Sequence, residues 1–211
     1  MGRQKENAAG LLLAAGASTR MGRVKQLLPI GGRTLLEKAL KEALGSDLNR
    51  VGLVLGHEKN LLLPVVSRYL YDPRLEVIEN PDYRKGMSTS IQAGLGRMEG
   101  RFSHLMILLA DMPHVGSTAI NKVLHAYLEC RLPLAALWSG GRRSHPVIIN
   151  SELFGELREL KGDTGARALF ERHKDRVLHV DPPAGFDDRD IDTEGDYETL
   201  EGPFPLPGDQ A

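Results

Sequence analysis

Short apolar runs alternate with amphipathic segments along most of the chain, and each kind of segment predicts one kind of element. The apolar runs predict β-strands at residues 11–14, 51–55, 75–78, 105–110, 134–138, 147–149 and 177–180. Apolar residues at helical spacing predict helices at residues 35–44, 61–70, 88–98, 117–128, 151–160 and 164–173. We therefore expect an α/β protein with three layers (α/β/α) and a Rossmann-like, mostly parallel sheet.

Local signals refine two of the predicted helices. Thr34 precedes the first helix and Glu37 follows three residues later, which is the spacing of a capping box. Pro64 lies inside the second helix, where its missing backbone N–H weakens the interior. We expect the first helix to begin sharply and the second to be irregular.

The domain organisation follows from length and from the two ends. A chain of 211 residues corresponds to about one domain. The last ten residues, 202–211, contain three prolines and read as a frayed end. We predict a single domain over residues 1–201, with flexible ends at 1–8 and 202–211.

Composition excludes several classes of protein. The 27 basic and 28 acidic side chains nearly cancel, which argues against a generally basic nucleic-acid binder. A single cysteine, Cys130, excludes a disulfide scaffold and a multi-cysteine metal site, and indicates a reducing, cytoplasmic compartment. No apolar run approaches the roughly 18 residues of a membrane span, and the polar start lacks a signal peptide. We expect no nucleic-acid partner and no membrane.

The loop after the first predicted strand, residues 14–25, combines small residues with Arg20 and Lys25. Small residues let a ligand approach the backbone amides, and two positive charges suit a polyphosphate. The Walker pattern is excluded because Met21 stands where its second glycine is needed. A dinucleotide pattern has only a weak echo at Gly94 and Gly96. A tight turn without a ligand is the alternative, but it explains neither basic residue.

Two carboxylates follow predicted strands, at the edge where parallel sheets bind ligands. Asp111 comes directly after the buried run 105–110, and Asp192 follows the last strand region. Carboxylates beside a phosphate loop predict Mg²⁺, a cation that takes oxygen ligands and keeps several waters. The alternatives are that Asp111 ends its strand or caps a helix, and that Asp192 or Thr193 caps the helix through Tyr197.

Six segments together carry a family resemblance from residue 11 to residue 197: LLLAAGASTRMGRVKQLLPIGGRTLL, NPDYRKGMSTSIQAGL, ILLADMP, SHPVIIN, LKGDTGAR and DIDTEGDY. In this order they resemble the molybdenum cofactor nucleotidyltransferases, and their cytidylyltransferase branch most. The resemblance implies a nucleotidyltransferase fold and transfer of CMP from CTP to the phosphate of molybdopterin, with pyrophosphate released. Guanylyl-transferring relatives usually have Gly-Gly where this chain has Ala15-Gly16, so Ala15 favours CTP over GTP.

The resemblance also implies roles for particular residues. The expected catalytic residues are Arg20, toward the β- and γ-phosphates, Lys25, toward the α-phosphate, and Asp111. The metal ligands would be Asp111 and Asp192, with Mg²⁺ as the cofactor. The expected nucleotide-binding residues are Leu13, Ala14, Ala15, Gly16, Arg20, Lys25, Asn80, Gly86, Ser88 and Ser90. For Ser88, capping of the helix that follows is the alternative.

Two further segments resemble the part of the family that faces the pterin substrate, and the residues expected there are His145, Pro146, Gly162, Asp163, Gly165 and Arg167. Ser144 stands where relatives commonly have glycine, which leaves the acceptor open. Arg142, Arg143 and Arg167 form a candidate basic pocket for it, with solvated surface arginines as the alternative.

Other functions remain in competition. The same first loop serves guanylyl transfer or a sugar- or alcohol-phosphate acceptor, and a carrier of nucleotide or cofactor without chemistry is a further class. An NAD-linked oxidoreductase is disfavoured by the missing dinucleotide fingerprint. The expected partners are CTP or GTP, the molybdopterin cofactor, and a recipient molybdoenzyme or its chaperone.

Overall fold

The computed structural model describes residues 7–18 and 20–201. Its strands are β1 (Ala8–Leu13), β2 (Pro29–Ile30), β3 (Arg33–Thr34), β4 (Arg50–Leu55), β5 (Leu75–Glu79), β6 (His104–Leu109), β7 (Leu134–Ser139), β8 (Arg142–Asn150) and β9 (Val177–Val180). Its α-helices are α1 (Leu35–Leu44), α2 (Lys59–Val66), α3 (Met87–Met98), α4 (Ser117–Glu129), α5 (Phe154–Arg158), α6 (Arg167–Arg172) and α7 (Glu194–Glu201).

Seven strands form the main sheet in the order β5-β4-β1-β6-β8-β7-β9. Neighbouring strands are parallel from β5 to β6 and again between β7 and β9. Strand β8 runs antiparallel to both of its neighbours, β6 and β7. The mostly parallel sheet confirms the predicted fold class and gathers the ends of β1, β4, β6 and β9 at one edge.

Two apolar clusters cover the two faces of the sheet, and side chains alternate between them along each strand. Leu12 packs on one face with α1, α2 and α4, while Leu11 packs on the other with α3, α5 and α6. At Gly94 in α3, a Cβ would lie 2.3 Å from Leu11 Cδ1. The glycine therefore allows close helix–strand packing, which explains the weak dinucleotide echo without a phosphate.

The structure confirms the predicted capping box of α1 and changes the predicted bounds of α2. At α1, Thr34 Oγ1 accepts a hydrogen bond from the Glu37 amide, and the Glu37 carboxylate accepts one from the Thr34 amide. Helix α2 begins earlier than predicted and ends at Val66, with Pro64 inside, and Ser67–Tyr69 form a 3-10 turn. Proline removes one backbone donor, which is consistent with the early end.

Strand β8 is much longer than its predicted span of 147–149. The segment Arg142–Ser144 pairs with Leu137–Ser139 of β7, and Gly140 and Gly141 make the turn with φ angles of 56° and 76°. The sequence pattern missed this extension because its residues are polar and the β7–β8 register shifts between Ala136 and Leu137. Much of the segment expected to face an acceptor is therefore strand rather than loop.

The ends differ from the expectation at one point. Ala8 was assigned to the flexible amino-terminal end, but it begins β1 and is buried, because it pairs with His104 of β6. Asn7 belongs to the same predicted end, but its side chain donates to the Arg101 carbonyl oxygen and accepts from the Ser103 amide. Residues 1–6 and 202–211 lie outside the described residues. Within the described part of the chain, no helix is long and apolar enough to cross a membrane.

Candidate active site

A cleft of about 690 Å³ opens at the carboxyl edge of the sheet. It is walled by the loop after β1, the loops after β4 and β5, the end of β6, and the segment before α7. The residues that line it include most of the predicted nucleotide and metal positions and one predicted acceptor residue, Asp163; the others are Leu13, Ala14, Ala15, Gly16, Arg20, Lys25, Gly86, Ser90, Asp111 and Asp192. The cleft lies beyond the carboxyl ends of the strands, where the rule for parallel sheets places ligands.

The loop after β1 is shaped by a residue that the sequence analysis did not single out. The buried Gln26 side chain donates from Nε2 to the carbonyl oxygens of Ala14 (3.2 Å) and Gly16 (3.1 Å). Ser18 Oγ accepts from the Lys25 amide at 3.2 Å. These bonds hold the carbonyl groups of the loop toward the protein, which suits a loop whose amides receive phosphate oxygens.

Lys25 connects the loop to both predicted metal ligands. Its Nζ lies 2.7 Å from Asp111 Oδ2, 3.0 Å from Asp192 Oδ1 and 3.2 Å from the Ile191 carbonyl oxygen. Burial by itself lowers the pKa of Lys25, but the two carboxylates outweigh it and raise the pKa above its usual value. Lys25 therefore remains a cation at neutral pH.

Asp192 does not cap α7, the alternative role that the sequence left open for it. Thr193 and Asp196 cap α7: the Asp196 carboxylate accepts from the Thr193 amide at 2.7 Å, and Thr193 Oγ1 accepts from the Asp196 amide at 3.2 Å. The Asp192 carboxylate instead receives Lys25 and Arg20, the latter at 2.6 Å. The arrangement removes the helix-cap alternative for Asp192.

A small apolar cluster holds the Asp192 segment against the loop. Ile191 is fully buried beside Leu28, Ile30 and Leu35, which come from the β2–β3 hairpin region and α1. The Ile191 amide also donates to the Asp111 carbonyl oxygen at 3.0 Å. Residues far apart in the chain are thus fixed side by side through apolar packing and one backbone bond.

The carboxylates around Lys25 are crowded. Asp111 Oδ1 is buried and has no hydrogen-bond partner among the described residues. Nearby, burial first, and then the charges of Asp111 and Asp192, raise the pKa of Asp190. Neighbouring carboxylates disfavour one another's ionised form. A site where they crowd therefore favours the binding of a further positive charge. Asp190 escaped the sequence analysis, although it stands two residues before Asp192.

Two predicted nucleotide-binding residues lie behind the cleft wall rather than on it. Asn80 is buried, and its Nδ2 donates to Thr89 Oγ1 and Ser90 Oγ, both at 2.9 Å. Ser88 is also buried, and α3 begins after Gly86, so Ser88 is not the helix cap. In both cases the strand-to-helix connection turns the side chain inward. Asn80 supports Ser90, which does line the cleft.

His57 and Tyr83 line the cleft but were not predicted. His57 Nδ1 lies 3.4 Å from the Tyr83 hydroxyl, and the His57 amide donates to the Ala15 carbonyl oxygen at 3.2 Å. A Cβ at Gly56 would lie 2.7 Å from Tyr83 Cβ, so this glycine admits the tyrosine. His57 follows β4, and the rule that ligands sit beyond strand ends applies to it as well.

The predicted acceptor residues divide into two groups. Asp163 lines the cleft and accepts from the Met87 amide at 3.1 Å, and Gly162 packs against Gly86. The others do not line the cleft, because strand β8 and the start of α6 carry them away from it: His145, Pro146, Gly165 and Arg167. Burial, followed by the charge of Arg143, lowers the pKa of His145 to about 4, although Asp111 opposes the shift.

The three arginines of the candidate basic pocket have different surroundings. Arg142 is exposed and pairs with Asp188 at 2.9 Å. Arg167 is exposed, 3.8 Å from Glu171. Arg143 is half-buried, and its guanidinium carbon lies 4.7 Å from the centre of the Phe170 ring. Among the described residues Arg143 has the more distant charge of Glu171 but no ion pair.

Comparison with known proteins decides the family. A model of the MobA-like NTP transferase domain matches residues 10–177. The chain belongs to this family. It is 32% identical to nicotine blue oxidoreductase from Paenarthrobacter nicotinovorans, over 93% of this chain and 95% of that protein. It is 30% identical to molybdenum cofactor cytidylyltransferase from Escherichia coli (strain K12), over 66% of this chain and 68% of that protein.

A solved structure supports the same assignment. The crystal structure of Rv0371c from Mycobacterium tuberculosis H37Rv matches with a TM-score of 0.80 and 26% identity, covering 92% of this chain and 97% of that chain. Rv0371c has also been crystallised in complex with manganese. The family resemblance, the α/β fold and the nucleotidyltransferase class predicted from sequence are confirmed. The chain is a nucleotidyltransferase of the MobA-like family, and its relatives carry different names.

Proposed function

We propose that this enzyme transfers CMP from CTP to the phosphate of molybdopterin and releases pyrophosphate. The observation that carries the proposal is the position of Lys25, bonded to Asp111 and Asp192 at the mouth of a loop of small residues. A cation between two carboxylates, beside backbone amides, suits a triphosphate with a divalent ion. The cytidylyltransferase relative supports the reaction.

The residues of the chain act through alignment and charge. An oxygen of the acceptor phosphate attacks the α-phosphorus of CTP, and the bond to the bridging oxygen of pyrophosphate breaks. Lys25 neutralises charge at the α-phosphate, and Arg20 exchanges Asp192 for the β- and γ-phosphates. The acceptor phosphate is already ionised near neutral pH, so the proposal requires no general base. Its catalytic residues are Arg20, Lys25 and Asp111.

A divalent metal fits the carboxylates, and we propose Mg²⁺ held by Asp111 and Asp192. Asp111 supplies a buried oxygen without a partner, and both side chains offer the hard oxygen ligands that Mg²⁺ prefers. No cluster of three or more His, Cys, Asp or Glu side chains suited to a metal occurs in residues 7–18 and 20–201. Water and phosphate oxygens would complete the coordination. When bound, the ion neutralises charge on the phosphates. The manganese complex of Rv0371c supports a divalent ion.

For the base, we propose CTP rather than GTP. Ala15, in the loop after β1, is buried and lines the cleft, and its carbonyl oxygen accepts a hydrogen bond from the His57 amide. Guanylyl-transferring relatives usually have glycine at this position, so the choice of CTP rests on the resemblance to the cytidylyltransferase branch. Ser90, Gly86 and the β1 loop form the remaining proposed nucleotide contacts. The lone Cys130 agrees with a cytoplasmic setting, which belongs to the same proposal.

A redox reaction is the second candidate. The relative from Paenarthrobacter nicotinovorans is named an oxidoreductase and matches more of this chain than the cytidylyltransferase does. A carrier without chemistry is the weakest candidate, because affinity alone needs no charge placed between two carboxylates.

The deciding experiment measures pyrophosphate release from purified protein with Mg²⁺, molybdopterin and CTP or GTP. Release with CTP alone supports the proposal, and release with GTP alone contradicts the choice of base. Oxidation of NADH or NADPH in the presence of nicotine blue, without pyrophosphate release, would support the redox candidate. Tight nucleotide binding with neither reaction would favour the carrier.

The Asp111→Asn variant tests the metal ligand. We expect kcat for pyrophosphate release to fall by about 10²–10³-fold while the far-ultraviolet circular dichroism spectrum is unchanged, because the amide keeps the shape and loses the charge. Asp47→Asn is the matched control, since Asp47 pairs with the exposed His125 away from the cleft. A folded Asp111→Asn enzyme with native kcat would remove Asp111 from the metal site.

A further inference from the structure

All hydrogen bonds that the Gln26 side chain makes within the described part of the chain go to the loop after β1. Its Nε2 donates to the carbonyl oxygens of Ala14 and Gly16, and its Oε1 accepts from the Ser18 hydroxyl at 3.3 Å. The residue is only 3% exposed, although it belongs to the wall of the cleft. Because buried polar groups need partners, these bonds hold Gln26 and the loop in one mutual arrangement.

The bonded carbonyl groups determine where two amides of the loop point. A trans peptide unit is planar, and its C=O and N–H groups point in opposite directions. Bonding of two carbonyl groups to Gln26 therefore turns the amides that follow them, those of Ala15 and Ala17, away from it. Neither amide donates a hydrogen bond to another described residue, and both residues line the cleft. The loop thus presents two backbone donors without a protein partner, which suits phosphate oxygens.

Gln26 and Lys25 are neighbours in one 3-10 turn and reach different parts of the site. Lys25 binds the two carboxylates, whereas Gln26 is turned toward the loop. Ser18 links the two residues, because its hydroxyl donates to Gln26 and accepts from the Lys25 amide. Ser18 itself has a φ of 52°, in the left-handed region that residues other than glycine seldom occupy. One turn therefore positions both the Lys25 ammonium and the loop.

We propose that Gln26 is a positioning residue, which aims the amides of the loop at the phosphates of the nucleotide. It acts through the loop and does not touch the substrate, and the inference rests on the proposed binding of a triphosphate. A carboxylate of the same size would place an oxygen, in place of an N–H donor, against two carbonyl oxygens, and they would turn away. The role therefore requires an amide at this position and not merely a side chain of its size.

The Gln26→Glu variant tests this role with inorganic tripolyphosphate, a probe that has neither base nor acceptor. Calorimetric titration with Mg²⁺ gives its Kd at pH 8 and pH 5, divided at each pH by the wild-type Kd. At pH 8 the ionised carboxylate has no donor, and we expect a ratio of about tenfold or more. Burial among carbonyl oxygens raises the pKa of the new carboxyl group. At pH 5 it therefore regains one donor, and the ratio should fall below about threefold.

Gln92→Glu is the matched control. Gln92 Nε2 also donates to two carbonyl oxygens, those of Arg158 at 2.8 Å and Leu160 at 2.9 Å, but Gln92 does not line the cleft. We expect this variant to lose stability while the Kd of tripolyphosphate changes by less than about twofold. Gln26→Met removes the donors without adding charge, and it should weaken binding at both pH values without recovery. It separates loss of the donors from repulsion between a carboxylate and the probe.

Native affinity of a folded Gln26→Met protein would overturn the inference, as would a Gln26→Glu ratio that is the same at pH 8 and pH 5. Equal weakening by Gln92→Glu would also overturn it, because the effect would then come from general loosening of the fold. If Gln26→Met does not fold, the comparison of the two pH values for Gln26→Glu keeps the test valid.

The probe separates this inference from the proposed transfer. A protein that releases no pyrophosphate, but whose affinity for tripolyphosphate falls in Gln26→Glu and recovers at pH 5, keeps the positioning role and loses the transfer. A protein that transfers CMP with the same KM for CTP in the wild type and in Gln26→Glu loses the positioning role and keeps the transfer.

Discussion

Lys25 and His145 are both enclosed near the same carboxylate, Asp111, and burial has opposite outcomes for them. Direct bonds to Asp111 and Asp192 raise the pKa of Lys25 in spite of burial. His145 has one long contact, 3.4 Å from Nδ1 to the Ile107 carbonyl oxygen, and burial lowers its pKa to about 4. At pH 7 the first residue is charged and the second is neutral.

The same contrast extends to the regions around them. On the β1 side, positive and negative side chains bind each other: Lys25 and Arg20 with Asp192, and Lys25 with Asp111. On the β7–β9 side, Arg143 is half-buried, and among the described residues it has the more distant charge of Glu171 but no ion pair. A paired charge is held in place and must exchange partners when a ligand binds, whereas an unpaired one gains a partner. The two sides of the edge thus differ in how their buried charges are compensated.

The largest expected effect comes from removing the paired cation. Lys25→Gln should lower kcat for pyrophosphate release by about 10²–10³-fold, because two carboxylates then face the triphosphate without neutralisation. Initial rates at saturating CTP measure this. Arg23→Gln is the control: Arg23 pairs with Glu194 outside the cleft, and we expect a change below about twofold. Near-native turnover of Lys25→Gln would show that the pairing is structural.

The β1 side also contains a buried residue, Asn80, that supports the cleft wall without lining it. Asn80→Ala should lower the free energy of unfolding by about 1–3 kcal/mol, because the half-buried Thr89 hydroxyl and the buried Ser90 hydroxyl lose their donor. Urea denaturation measures this. Asn121→Ala is the control. Asn121 Oδ1 accepts a hydrogen bond from the Asp47 amide near the surface, and its loss should lower the free energy of unfolding by less. A rise in the KM for CTP with no loss of stability would instead make Asn80 a nucleotide contact.

The smallest expected effect is the pH dependence of stability that His145 causes. The pKa of His145 is lowered in the folded protein to about 4, so between pH 6.5 and 4 the unfolded chain binds more protons than the folded one. Stability therefore falls as pH decreases through this range, because the unfolded chain takes up the proton that the folded His145 excludes. His145→Gln should flatten the acid side of a plot of unfolding free energy against pH. Identical slopes for both proteins between pH 6.5 and 4 would show that His145 is accessible to protons when folded.

Several candidate site residues were predictable because their residue types and their positions after strands are visible in the sequence alone. The loop of small residues with Arg20 and Lys25, and Asp111 after a fully apolar strand, are visible in the sequence, and the structure gathers them at one cleft. Asn80 and Ser88 do not line the cleft: Asn80 turns inward after β5 to bond Thr89 and Ser90, and Ser88 faces inward from the first turn of α3. His57 and Tyr83 were missed because neither has a pattern of its own.

The sequence by itself determined the order of strands and helices, the apolar layers and the family to which the chain belongs. Those properties depend on periodicity and on short motifs, which are local. The tertiary structure decided which charges meet: that Asp192 faces Lys25 while Thr193 caps α7, and that Arg143 turns inward while Arg142 pairs at the surface. Partner choice depends on distance between segments remote in the chain, and on which face of a strand each side chain occupies.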